Sequence, residues 1–497
     1  MTTSPLDLLP QATARFGALG EPYSVLVPAR PLPEPTLLHL NSALALELGL
    51  DARLTASKEF TALMAGNHVW PGYDSRASVY AGHQFGQFVP QLGDGRALLI
   101  AEIDDRESHS RELQLKGAGQ TPYSRFADGR AVLRSSIREY LCSEAMHGLG
   151  IPTTRALTLV GSPQSVRRET LETAAVVCRI APSFLRFGHF EFYYYRREHA
   201  QLAPLADQVI AAHFPEFAGR KDRYVAWLSE VVARTARLMA QWQAVGFCHG
   251  VMNTDNFSVL GLTLDYGPFG FMDAFDSGHI CNHTDEGGRY AWDKQPIIGH
   301  WNCTKLLQAT LPLLGETPEA AVAVAQAIVD RYPDIYGEAM TRRWTDKLGL
   351  RELREGDSAL VDRYLNLLDR SHSDFTRSFR RLALVSTDTD EPAQGARDEI
   401  VDLAAFDSWV VDYRSRLRGE QSDDAERAAR MNAVNPKYVL RNHLAQAAIT
   451  LAESGDAAEV GRLFDLLQKP FDEQPAFAAY AAEPPADARH IEVSCSS

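Results

Sequence analysis

The spacing of apolar residues changes several times along the chain, and each change marks a different kind of element. Residues 1–75 are rich in proline and leucine, with a short amphipathic stretch at 37–50, and read as an extension that packs against a later lobe. From 79 to 116 the spacing is that of strands: one at 85–92, a Gly93-Asp94-Gly95 turn, and a second at 96–103. In Glu112-Leu113-Gln114-Leu115-Lys116 polar and apolar residues alternate, which puts Gln114 and Lys116 on one face of a strand and both leucines on the other. At 130–150 the period lengthens. Leu133, Ile137, Tyr140, Leu141 and Ala145 recur at helical spacing until Gly148 and Gly150 stop the run. Two further strands are predicted at 155–160 and 174–180.

The remainder reads as helices. Residues 224–246 carry Val225, Leu228, Val231, Val232, Leu238, Met239 and Trp242 at helical spacing with Gly246 as the stop, and similar patterns recur at 318–332, 358–368 and 436–453. Strands with one helix followed by many helices predict an α+β chain with a β-rich amino-terminal lobe and a larger, mostly helical carboxy-terminal lobe. The expected divisions are an extension at 1–75, the first lobe at 76–187, the second at 188–385, and a helical region with a tail at 386–497. The polar segment 386–395 supplies the last boundary, and Pro484-Pro485 marks an irregular tail.

Composition narrows the function classes. The 497 residues carry a formal net charge of -14, which argues against non-specific nucleic-acid binding by a dominant basic surface. No run reaches the length of a membrane span, and Met1-Thr2-Thr3-Ser4-Pro5 lacks the basic and apolar regions of a secretory signal, so a cytoplasmic protein is expected. The six cysteines form no C-x-x-C pair. Five lie in apolar segments and read as small buried hydrophobes, whereas Cys495 sits in an exposed tail. His279, Cys281 and His283 would share one face of a strand, a rival zinc reading that lacks a fourth ligand at a familiar spacing.

The segment richest in chemistry is His249-Gly250-Val251-Met252-Asn253-Thr254-Asp255-Asn256, followed nine residues later by Asp265-Tyr266-Gly267. His249 and Asn256 stand at the spacing of the protein-kinase H-R-D-x-x-x-x-N motif, and Asp265-Tyr266-Gly267 replaces D-F-G, while the usual base is Val251. Asn256 and Asp265 offer the hard oxygens that Mg²⁺ prefers, and Asp255 is the nearest spare carboxylate for a base. Lys116, ahead of Gly117-Ala118-Gly119, reads as a phosphate-binding lysine held by an acid of the next helix. Glu139 and Glu144 both suit that role by periodicity, which leaves the choice open. Gly93-Asp94-Gly95-Arg96 gives a glycine turn with an adjacent cation. Arg179 and Arg186 bracket Ile180 to Leu185, and Arg125, Asp128, Gly129, Arg130 and Arg134 form a polar cluster before the helix.

Taken together the chain resembles the selenoprotein O family of pseudokinase-fold proteins over nearly its whole length. The resemblance is most specific in Tyr80-Ala81-Gly82-His83-Gln84-Phe85-Gly86, in 115–125, in 249–256, in Asp265-Tyr266-Gly267-Pro268-Phe269-Gly270-Phe271 and in the ending Cys495-Ser496-Ser497. It implies a bilobal, protein-kinase-like fold and transfer of AMP from ATP to Ser, Thr or Tyr hydroxyls of proteins. The nucleotide is turned around relative to a kinase. By the same resemblance Lys116 pairs with Glu139. Gly93, Gly95, Arg96, Asp128 and Gly129 line the ATP site, and Arg179 and Arg186 hold the outer phosphates. Asn256 and Asp265 bind Mg²⁺ or Mn²⁺, and Asp255 accepts the proton. UMP transfer from UTP with Mn²⁺ is attributed to bacterial members. An ordinary phosphotransferase and a non-catalytic ATP-binding scaffold are the remaining alternatives. Cys495 stands where some members carry selenocysteine, and a reversible Cys281–Cys495 disulfide is the expectation there.

Overall fold

The structure is a computed structural model, and it describes residues 4–488, 491 and 493. A nine-stranded sheet and one long helix occupy the amino-terminal part, and helices fill the carboxy-terminal part, as the apolar spacing predicts. The strands are β1 (Ser24–Leu26), β2 (Thr36–Leu40), β3 (Arg76–Gln84), β4 (Gln87–Gly93), β5 (Ala97–Asp104), β6 (Ser110–Lys116), β7 (Ala131–Val132), β8 (Arg155–Arg167) and β9 (Leu171–Ala181). The main path runs β1-β3-β5-β6-β9-β8-β2, with β4 paired to β3 and β7 to β9. All of these pairs are antiparallel. The extension is therefore part of the sheet rather than a layer laid on it, with β1 and β2 at opposite ends of that path. The amphipathic stretch at 37–50 divides into strand β2 and the short helix Ser42–Glu47, because Asn41 caps the helix by accepting from Leu44 N.

In β6 the alternation holds: Leu113 and Leu115 are fully buried on one face, and Gln114 and Lys116 share the other. The register with β9 sets Gln114 opposite Arg179 and Lys116 opposite Val177. The helix Leu133–Gly148 packs on β8 and β9 with one side, and the helices Asn442–Glu453 and Ala458–Leu467 cover the other. Its predicted stripe is buried, and so are Arg138, Glu139 and Glu144 on its remaining faces. Such polar groups are tolerated only when paired. Arg138 donates to Phe269 O at 2.7 Å and to Asn442 Oδ1 at 3.2 Å, and Glu144 accepts from Arg155, Asn41 and Ala156 N.

One core runs from Phe16 to Leu467 through the sheet, its helix and the long helix Arg223–Ala244. A second, aromatic core around Tyr364, Phe375, Phe379, Trp409 and Tyr413 organises the later helices. The helix expected at 436–453 starts at Asn442, since Pro436 and the buried turn through Tyr438 and Leu440 precede it. The polar segment 386–395 is irregular apart from a short helix, Gln394–Arg397. Arg414 and Arg418 tie it down by donating to the carbonyls of Ser386, Glu391, Thr387 and Thr389. Residues 279–283 form a loop rather than a strand, so His279, Cys281 and His283 are not presented on one pleated face. No described helix is long and apolar enough to cross a membrane.

Candidate active site

A cleft of about 340 Å³ lies where the sheet meets the segment after the long helix Arg223–Ala244. The glycine turn supplies Gly93, Asp94, Gly95 and Arg96. Lys116 comes from the end of β6, Arg179 from β9, and Arg186 from the residue before the helix Phe187–Tyr195. Val251, Asn256, Asp265 and Gly267 enter from the opposite side. Gly93 has φ 151°, and a Cβ there would lie 2.5 Å from the Tyr123 ring, so only glycine permits this turn.

The loop 249–256 is fixed by its histidine. Two short strands, β10 (Phe247–Cys248) and β11 (Gly270–Phe271), pair on either side of it. His249 is buried and stacks on Trp242. Its Nε2 donates to Leu264 O at 2.9 Å, and Nδ1 accepts from Val251 N at 3.3 Å. The ring thereby joins the start of the loop to the residue before Asp265, which is a structural duty.

Asp265 is the electrostatic centre. Its carboxylate forms ion pairs with Arg179 and Arg186, and Lys116 Nζ stands 3.5 Å from Oδ1. Burial alone would raise its pKa, but Arg186, Arg179 and Lys116 more than offset this and hold it well below the usual carboxylate range. Asp265 also adopts the left-handed region, φ 56°, a conformation that costs about 1–2 kcal/mol and that Asp tolerates better than most residues. Lys116 meets Glu139 Oε2 at 2.6 Å, and Arg179 reaches Glu139 Oε1 at 3.0 Å, so one carboxylate spans two cations. Glu144 faces the other way, toward Arg155. Arg179 also bonds Gln114, the residue opposite it in the register, and Arg186 lies 5.1 Å from the centre of the Tyr80 ring. Burial pushes the ammonium of Lys116 and the guanidinium of Arg96 toward lower pKa values.

Asp255 sits in the turn Thr254–Asn256 and is 8% exposed. Burial pushes its carboxyl up to about 7, the range in which a carboxylate serves as a base near neutral pH. Arg186 Nη1 donates to its main-chain oxygen at 2.9 Å, linking Asp255 to the cation cluster. Asn256 uses its amide nitrogen on Val251 O at 2.9 Å, which leaves its side-chain oxygen as the available ligand atom. With Asp265 it forms a pair of hard oxygen donors in one cleft, a set that fits Mg²⁺ or Mn²⁺. The Nε atoms of Arg179 and Arg186 are buried and have no acceptor among the described residues.

Two residues expected at the nucleotide are not among those lining this cleft. Asp128 and Gly129 belong to the loop after Gly119, where Asp128 accepts from Arg168 at 2.8 and 2.9 Å and from Arg130 N at 2.9 Å. The earlier part of that loop is stitched to the glycine turn, with Thr121 Oγ1 donating to Asp94 O at 2.7 Å. Cys281 packs beside β10 and β11 and donates to Pro268 O at 3.0 Å. Cys495 lies outside the described residues.

A family model described as protein adenylyltransferase SelO matches residues 8–468. The chain belongs to this family. Among its relatives, the protein nucleotidyltransferase YdiU of Methylococcus capsulatus is 61% identical over 483 residues, covering 97% of this chain and 95% of that one. The proteins of the same name from Burkholderia vietnamiensis and Burkholderia pseudomallei are 52% and 54% identical, over 99% and 97% of this chain and 98% and 95% of theirs. As a member of the SelO family the chain is an enzyme, a nucleotidyltransferase.

Sequence reading assigned no role to Tyr80 through Phe85 or to Gln114. For Gln114 the strand alternation already put it on the face of Lys116. For Gly82, His83 and Gln84 the contacts run to residues about 170 positions later, as with His83 N to Thr254 Oγ1, and no local pattern carries them.

Proposed function

We propose that this enzyme transfers AMP from ATP to Ser, Thr or Tyr hydroxyls of other proteins. The observation that carries the reading is the convergence of four cations, Arg96, Lys116, Arg179 and Arg186, on a cleft that also holds Asn256 and Asp265. Attack of a hydroxyl oxygen on the α-phosphorus breaks the bond to the bridging oxygen, and pyrophosphate leaves with the electron pair. The charge that develops on that leaving group is what a cluster of preorganised cations stabilises. Lys116, steadied by Glu139, and the two arginines serve the outer phosphates, so the α-phosphate faces the acceptor. Asn256 and Asp265 would hold a divalent cation, which when bound would add positive charge against the phosphates. Asp255 takes the hydroxyl proton in place of the kinase acid, whose position is Val251. The two-lobed, kinase-like arrangement of sheet and helices belongs to the same proposal.

ATP labelled separately at the α- and γ-phosphates tests the assignment. Label on protein from the α-phosphate only is the expected result. Label from γ only would make the enzyme a kinase, no label would make it a scaffold, and a strong preference for UTP with Mn²⁺ would make it a UMP transferase. The Cys281–Cys495 disulfide belongs to the same family reading, and the hydrogen bond from His283 N to Val493 O, at 2.9 Å, supports it by bringing the preceding tail residues to the Cys281 segment. Mass spectrometry of the oxidised, non-reduced protein should find the cross-link.

A further inference from the structure

The segment Tyr80–Gly86 carries the most specific unassigned motif of the chain, and β3 delivers it to the catalytic turn. Three of its residues grip three successive residues of that turn. Phe85 N donates to Asn253 Oδ1 at 3.2 Å, His83 N donates to Thr254 Oγ1 at 2.7 Å, and Gln84 Nε2 donates to Asp255 Oδ2 at 3.3 Å. The first two contacts are braced further. Thr254 Oγ1 donates to the buried Glu191 at 2.6 Å, and the other oxygen of Glu191 meets His83 Nδ1 at 2.8 Å. Tyr290 bonds both Phe85 N and Asn253.

The third contact differs from these in kind. It is made by a side chain, and it falls on the carboxylate itself. The remaining carboxylate oxygen, Oδ1, is buried with no hydrogen-bond partner. Gly82 lies beneath it, and a Cβ there would come within 2.7 Å. One oxygen is therefore tethered and the other left bare, in a bed that only glycine permits. A neutral amide suits this duty, because a lysine or arginine at the same place would pair with the carboxylate and weaken it as a proton acceptor. Gln84 does not line the cleft of Lys116, Arg179 and Arg186, so its effect need not pass through nucleotide binding.

We propose that Gln84 is a positioning residue for Asp255: its amide holds the carboxylate through Oδ2 and so fixes the orientation of the side chain. The role rests on the reading of Asp255 as the proton acceptor. In the step concerned the hydroxyl O–H bond breaks as the O–P bond forms, the proton passes to the Asp255 carboxylate, and pyrophosphate departs with the electrons of the broken P–O bond.

The test is Gln84→Met, which keeps the length of the side chain and removes the amide. Using α-labelled ATP and a bulk bacterial protein extract as acceptor pool, the rate at saturating ATP should fall about tenfold or more. Half-saturation by ATP and the melting temperature should stay at the wild-type values. Gln84→Asn, which keeps the amide on a shorter stem, should recover part of the rate, and Gln84→Glu should recover none. A Gln84→Met rate within about twofold of wild type overturns the role. So does a loss that appears equally in ATP affinity or melting temperature, and if Gln84→Met does not fold, the order of the Asn and Glu variants decides. Absence of α-label from the wild type overturns the reading of Asp255 and this role with it, whereas wild-type label with an unaltered Gln84→Met overturns the role alone.

Discussion

Lys116 and Glu139 meet at 2.6 Å between β6 and the helix Leu133–Gly148, while Glu144 of the same helix turns to Arg155 at 2.8 Å. Both acids are buried, yet they answer to different parts of the molecule. Replacing Glu139 by Gln should lower the α-label rate by about tenfold to a hundredfold, since Lys116 and Arg179 lose their shared counter-charge at the cleft. Replacing Glu144 by Gln should leave that rate near wild type in the folded protein and cost about 3–5 kcal/mol in denaturant unfolding, because Arg155 loses its main buried partner. Activity at low temperature together with a urea or guanidinium titration separates the two. Equal behaviour of the two variants would show that the helix has no functional polarity.

Asp265 gathers three cations, and removing its charge should be felt twice. Asp265→Asn removes the ion-pair partner of Arg186 and one of the two carboxylates shared by Arg179 and Lys116. An uncompensated buried charge costs about 3–5 kcal/mol, so the melting temperature should drop. Transfer of α-label should vanish as well, because the hard oxygen ligand is lost. Added pyrophosphate should raise the melting temperature of the variant more than that of the wild type, by supplying negative charge to the cluster. Differential scanning fluorimetry with and without pyrophosphate checks this. A smaller shift in the variant than in the wild type would contradict the account.

Lys347 makes a pH prediction outside the cleft. It is 3% exposed, stands 4.2 Å from the centre of the Phe379 ring and 5.3 Å from that of Phe375, and forms no ion pair among the described residues. Burial lowers its pKa to about 7, with Arg343 adding to the shift. The unfolded chain therefore binds more protons than the folded one between pH ~7 and ~10, and stability contributed by this site rises with pH across that window. Below pH ~7 the full penalty applies. Lys347→Met should raise stability by a few kcal/mol, about 2–4, at pH 6 and by little at pH 10. Unfolding titrations of both proteins at the two pH values read the difference directly.

What the sequence carries follows physical range. The alternation in β6 and the stripe on the helix Leu133–Gly148 are local, and both elements formed where their spacing put them. Periodicity alone left Glu139 and Glu144 equivalent, because that helix is buried on all sides and its polar residues are chosen by partners in β6, β8 and β9. The strand edges in the first 75 residues were not legible either. β1 and β2 are short, and each exists only by pairing with a distant strand, β1 with β3 and β2 with β8. The same limit hid the bed of Asp255. His83 and Gln84 belong to a family-specific stretch, but no periodicity states what they or Glu191 do, which emerges only when β3 lies against residues 253–255.

Gly82 gives the sharpest test of that bed. A Cβ at this position would lie 2.7 Å from Asp255 Oδ1, closer than such atoms approach in folded proteins, and 3.0 Å from its Cβ. β3 is paired with β4 at this point, Gly82 opposite Val89, so the carboxylate at the end of a rotatable side chain is the group expected to give way. Its backbone is pinned through Thr254 and by Arg186, which leaves the side-chain torsions to absorb the shift. Gly82→Ala should therefore misplace Asp255, the proposed proton acceptor, while the sheet stays intact. A displacement of this kind typically costs about a hundredfold in rate. The expected outcome is a fall of about that size in α-label incorporation at saturating ATP, with ATP affinity preserved because Lys116, Arg179 and Arg186 are untouched. Calorimetric titration with ATP, run beside the labelling assay, gives both numbers. Loss of ATP binding in parallel with the rate would mean that the sheet, and not the base, had moved.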